Sequence, residues 1–108
     1  MLDISITKIA NVILMARELE RAEGELHAFL ENLNEDELIS LVAVMWIGRD
    51  SFAADELEEA KATARAEATT PTPDYLLGTP HLSDHLENGL DALGLSASDE
   101  EDDLVRGG

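Results

Sequence analysis

Cysteine is absent from this chain of 108 residues. That excludes disulfides, thiolate metal sites and cysteine nucleophiles, and it fits a reducing compartment. Basic residues are scarce: 7 lysines and arginines stand against 24 acids, for a formal net charge of −17. Such a chain repels phosphate backbones and anionic membranes, which argues against direct nucleic-acid binding; the charge serves plain solubility, or else suits a basic protein or a cationic ligand as partner. Aromatics make up only 4% of the residues, so the core must be aliphatic. No apolar run reaches the ~20 residues that a membrane crossing needs. No strand alternation and no repeat of 20–50 residues is visible. The first fifteen residues, MLDISITKIANVILM, have neither a basic leader nor a small-residue cleavage site. They read as mature structure, which places the protein in the cytoplasm.

What the chain does have is one very apolar stretch, NEDELISLVAVMWIG, from Asn34 to Gly48. Asn34 is suited to an N-cap, because its side-chain oxygen can accept from the free N–H groups of the first turn. Glu37 stands where a capping box needs it, and Leu33 can staple onto Leu38. Three acids in the first turn suit the positive end of the helix dipole. Leu38, Leu41, Val42, Met45 and Trp46 recur at helical spacing, and Ile39, Ala43, Val44 and Ile47 fill most of the remaining circumference. A helix apolar nearly all round is buried. Gly48 is expected to end it, with Arg49 bonding the last carbonyls.

Other helices must surround this one. The stripe Ile6, Ile9, Ile13, Ala16 predicts a first helix over about 5–23. Gly24 is the expected break, followed by a second helix over 25–32, although one kinked helix across both is also compatible with an isolated glycine. Phe52 is expected to pack back on the core. Residues 54–68 are strong helix formers with a thin inner stripe of Leu57, Ala60, Ala64 and Ala68. Thr72-Pro73 and Thr79-Pro80 each read as N-cap and N1, the first opening a short turn, the second a helix to about Leu93. Gly89 could let another helix approach closely, and Gly94 is the C′ residue. The acidic block after Ser96 reads as disordered.

Three segments together, LNEDELISLVAVMWIGR (33–49), FAADELEEA (52–60) and DYLLGTPHLSDHLENGL (74–90), resemble an uncharacterised bacterial family, domain-of-unknown-function family 3775. The likeness is most specific in Met45-Trp46-Ile47-Gly48-Arg49 and in Tyr75-Leu76-Leu77-Gly78-Thr79-Pro80. It covers most of residues 5–94 and implies a small acidic fold, with no activity to carry over. An acidic insertion that other members carry near Gly24 favours a break there. The expected fold is therefore all-α: a small bundle of four to five helices around the buried helix 34–48. A single domain spans 1–95 and an acidic tail spans 96–108.

Candidate sites are few. His81 and His85, four apart, could share one helix face and hold zinc or nickel, with His27 and Asp84 as further ligands; the bland alternative is a surface histidine and one flanking the leucine stripe. Tyr75 and Asp74, beside Thr79, could line a pocket at helix N-termini, or Tyr75 could simply pack on the core while the threonines cap. Arg49 could anchor an anion, pair with Asp50 or Asp74, or cap its own helix. Trp46 and Met45 read as packing groups. Carboxylate pairs are too abundant to single out a general acid or base. No nucleophile elbow, P-loop or dinucleotide fingerprint is present, and no cofactor is implied. The diglycine at Gly107-Gly108 lacks the strands that a ubiquitin-like fold requires.

The leading expectation is a non-catalytic module for protein interaction: an adaptor for a basic protein, or a homodimer, joined through an apolar patch that the thin alanine helix leaves uncovered. The alternatives are a small-molecule or metal sensor around Tyr75, His81 and His85, and an acidic mimic of nucleic acid.

Overall fold

A computed structural model describes residues 2–67 and 71–95, without the side chains of Leu19 and Glu20. The expected tail, 96–108, and Ala68 lie outside these residues. Among the described residues six α-helices follow one another: α1 (Ile6–Arg17), α2 (Leu19–Glu31), α3 (Glu35–Gly48), α4 (Leu57–Ala66), α5 (Thr72–Leu77) and α6 (Leu82–Ala92). A single 3-10 turn, Ala54–Glu56, leads into α4. No strand occurs among the described residues. The fold is all-α, as expected, with one helix more than the upper count because the short turn at 72–77 is helical.

α3 is the centre. Its capping box is complete: Glu37 N–H donates to Asn34 Oδ1 at 2.8 Å, and Asn34 N–H donates to Glu37 Oε1 at 3.0 Å. Every side chain from Ile39 to Ile47 is buried. α4 and α6 pack directly on α3; α1 packs on α2 and α6; α5 sits on α2 and touches α3.

The break between the first two helices falls at Glu18, not at Gly24. Glu18 leaves helical geometry (φ −106°, ψ 33°), and its carbonyl accepts from Arg21 and Ala22 to start the next helix. The reason is phase. Ile9, Val12 and Ile13 line the buried stripe of α1, while Ala22, Leu26 and Leu30 line that of α2. At 3.6 residues per turn one continuous helix would carry these stripes roughly a quarter of a turn apart, so the chain turns to bring both inward. Gly24 lies inside α2, where an added Cβ would meet nothing within 4 Å.

α3 does end at Gly48, as expected, but the glycine is not what stops it. The stop is a Schellman motif: Ser51 N–H donates to Trp46 O and Asp50 N–H to Ile47 O, with Asp50 in the left-handed region at φ 66°. Gly48 serves the crossing with α6 instead. A Cβ added there would overlap the His85 carbonyl oxygen and stand 2.8 Å from Gly89 N. A Cβ added at Gly89 would overlap the Val44 carbonyl oxygen and stand 2.8 Å from Val44 Cγ1. The two glycines let the backbones of α3 and α6 touch, which is the close approach expected of Gly89. α6 itself ends in a second Schellman motif, with Gly94 at φ 76° and Leu95 N–H on Leu90 O.

The threonine–proline pairs are shifted from their expected roles. Thr72 and Pro73 lie within the first turn of α5, with Pro71 at the N-cap. Thr79 closes α5 rather than opening α6: its hydroxyl donates to Tyr75 O at 2.8 Å. α6 begins at Leu82 after His81, whose φ is 58°. The alanine stripe of α4 covers α3 closely, with Ala60 and Ala64 buried. Core helices are therefore not left bare, and Leu14 is the sole large hydrophobic side chain exposed among the described residues.

Candidate functional site

Two places gather the residues singled out in the sequence. The first is the C-terminal end of α3. Trp46 is buried and its indole N–H donates to Tyr75 Oη at 3.0 Å. Phe52 stacks on it, with ring centroids 5.8 Å apart and planes at 21°. The Arg49 guanidinium lies over the indole at 5.9 Å, and its Nε donates to Ser51 Oγ at 3.0 Å. Three of the four aromatic residues of the chain thus meet at one corner, capped by an exposed cation. Arg49 pairs with neither Asp50 nor Asp74, and its side chain is turned to Trp46 and Ser51 rather than to the last carbonyls of α3.

Asp74 is engaged elsewhere. Its Oδ1 lies 3.2 Å from His27 Nε2, while His27 Nδ1 lies 2.8 Å from Glu31 Oε1. The bridge joins α2 to α5 across 47 positions of sequence. His27 and Asp74 were visible as separate candidates, but nothing in the sequence pairs them; only the spacing of His27 and Glu31 signals a contact.

The second place is the turn between α5 and α6. A cleft of about 430 Å³ opens there, lined by Arg17, Leu77, Thr79, His81, Leu82 and Ser83 among others. Tyr75, Asp74, Arg49 and His85 are not in its lining. The Arg17 guanidinium at its edge is held by Glu87 of α6, and the Thr79 proton is already committed to Tyr75 O. Arg17 and Ser83 carry no motif that would have marked them.

His81 and His85 do not share a helix face in the expected way. His81 precedes α6 in a left-handed conformation, its side chain 78% exposed and 4.0 Å from Asp84. His85 is half-buried on α6, and its carbonyl oxygen is the one that Gly48 approaches. Among the described residues no group of three or more His, Asp or Glu side chains is placed to hold a metal ion.

The charges follow a pattern. Four of the six basic residues described here tie elements together: Lys8 of α1 to Glu37 of α3 at 2.6 Å, Arg17 to Glu87, Lys61 of α4 to Asp3 at 2.9 Å, and Arg65 of α4 to Asp36 of α3 at 3.0 Å. Lys8, helped by the Asn34 N–H, holds the Glu37 carboxyl below its ordinary range. The hydrogen bond to Asp3 pushes the buried Lys61 up, and Lys61 in turn lowers Asp3. Asp3 is also fixed through its backbone, whose N–H donates to the buried Ser40 Oγ at 2.9 Å. Exposed acids on α2 and around the start of α4, among them Glu23, Glu25, Asp55 and Glu59, have no such partner.

No helix among the described residues is long and apolar enough to cross a membrane. Neither the curated proteins nor the solved structures return a match to this chain. One family model, described as a protein of unknown function (DUF3775), matches residues 23–95. The match runs from within α2 through the whole of α6, so it takes in the capped central helix, the aromatic corner, the glycine crossing and the His27–Asp74 bridge. The chain belongs to the DUF3775 family.

Proposed function

We propose that this protein is a non-catalytic, cytoplasmic binding module whose partner is a basic protein. The observation that supports the reading is the use of its cations. Three of the six described cations are spent in pairs between helices and a fourth, Lys61, ties α4 to Asp3, so the carboxylates on the outer surface keep an uncompensated field. Such a field speeds the encounter with a basic surface and rejects acidic ones. It also opposes self-association, since two copies bring −17 each. With little exposed apolar surface to offset that repulsion, a homodimer is the weaker version of the proposal.

The test uses the full chain immobilised at low ionic strength, with a lysate of its own source applied and eluted by a salt ramp. A discrete basic protein should elute in the ramp. It should be lost from a variant with Glu23→Gln, Glu25→Gln, Asp55→Asn and Glu59→Gln. Retention of nothing, or of proteins indifferent to salt and to these changes, would count against the reading. Competition by duplex DNA for the captured protein would identify the acidic surface as a mimic of nucleic acid.

The cleft at the α5–α6 turn supports a second reading, a small-molecule sensor. It predicts a thermal shift with a metabolite or divalent ion that Ser83→Trp, which fills the cleft, removes. A screen with no shift in the unaltered chain would sink it.

A further inference from the structure

His27 stands between two carboxylates on different helices. Glu31 lies one turn further along α2, and Asp74 reaches over from α5. A neutral imidazole has one N–H and one lone pair, so it donates to one carboxylate while its other nitrogen faces an oxygen with nothing to share. The imidazolium donates to both and adds the attraction of opposite charges.

Apart from this bridge, α5 is held by one hydrogen bond and by apolar packing, with Leu77 set against the core. Leu76 is buried, and Tyr75 Oη accepts the indole N–H of Trp46. We propose that His27 is a pH-sensitive latch: protonation tightens α5 onto α2, and the Tyr75–Trp46 hydrogen bond follows the state of the latch.

On α2 itself, Glu23 stands one turn before His27, and Arg21 and Glu25 lie nearby, with no ion pair among the described residues. Several charges on the neighbouring helices are held elsewhere. On α1, which also packs on α2, Lys8 and Arg17 are held by Glu37 and Glu87. On α3, which touches α5, Asp36 is held by Arg65. Within the described residues, Glu31 and Asp74 are the carboxylates paired with His27. The latch therefore strengthens as pH falls through the range in which imidazoles titrate, roughly pH 8 to 5, and slackens as pH rises. Its side chains are partly exposed, 39% for His27 and 58% for Asp74. Screening keeps the effect modest, about two- to fivefold in the opening equilibrium of α5.

The test is amide hydrogen exchange on the full chain at the two ends of that pH range, corrected for the intrinsic pH dependence of exchange. The amides of Tyr75, Leu76 and Gly78 should be about two- to fivefold better protected at the acid end. His27→Gln and Asp74→Asn should each abolish the difference, while His81→Gln and His85→Gln should leave it intact. Emission from Trp46, the one tryptophan, should change with the same midpoint. A pH response that survives in His27→Gln, one that disappears in His85→Gln, or none in the unaltered chain would overturn the latch. Exchange that responds without any change in Trp46 emission would overturn the coupling to Tyr75.

Discussion

The crossing of α3 with α6 and the seat of α5 on α2 join helices by opposite means. At the crossing, two backbones touch because Gly48 and Gly89 have no side chain to keep them apart. At the seat, side chains reach across, with His27 of α2 to Asp74 in the open and Trp46 of α3 to Tyr75 beneath. The first contact is apolar, buried and intolerant of any added atom. The second is polar and partly wet at His27 and Asp74, over a buried Leu76. Rigidity in this fold follows the removal of side chains, and adjustability follows their presence.

The sharpest way to break that contrast is to add a methyl group. Gly89→Ala should destabilise the protein by more than about 3 kcal/mol, the upper end of ordinary overpacking, because the neighbour that must yield is backbone. Urea unfolding of the purified variant would measure it, and a near-neutral result would mean that the helices are not in backbone contact.

At the seat, Tyr75→Phe removes an acceptor and strands the buried Trp46 N–H. The expected cost is about 1–2 kcal/mol, with a change in Trp46 emission. A cost equal to that of Gly89→Ala would erase the distinction between the two contacts. Gly24→Ala is the control for the glycines: open space surrounds that position, so the change should stabilise by about 1 kcal/mol through helix propensity.

The smallest effect lies in the acid limb of stability. The Glu37 carboxyl is held low by Lys8 and by the Asn34 N–H. Its contribution is therefore fully present above its unfolded value, 4.5, and is lost as pH falls through the lower folded value. Glu37→Gln should flatten stability against pH in that acid window only. A change confined to neutral pH would show that the Lys8 pair is not the source.

Much of the fold was legible because its signals are local. Asn34 and Glu37 announce a capping box within four residues, and the crowding of apolar residues over 38–47 announces burial. The glycines were only partly legible. Gly94 and Gly89 do what their positions suggest, but Gly48 resembles a helix stop and is a contact, while Gly24 resembles a break and is neither. What separates these roles is the neighbour across the fold, which no local pattern contains. The same holds for the candidate site. Trp46, Tyr75, Arg49, Asp74 and His27 were each noticeable, yet the stack, the indole bond and the bridge depend on how α5 returns to α2 and α3. The turn at Glu18 was hidden for a different reason: it corrects a phase difference between two stripes that look continuous when read one at a time.

The glycine crossing has a kinetic consequence. Gly48 and Gly89 are the ends of a loop of about forty residues that must close before either backbone finds the other, at an entropic cost of about 3 kcal/mol from chain length alone. The contacts between α1 and α2 close a far shorter loop. The order of assembly should run from the α1–α2 pair inward, with the crossing made late, so that changes at Gly89 act mainly by speeding the rate of unfolding.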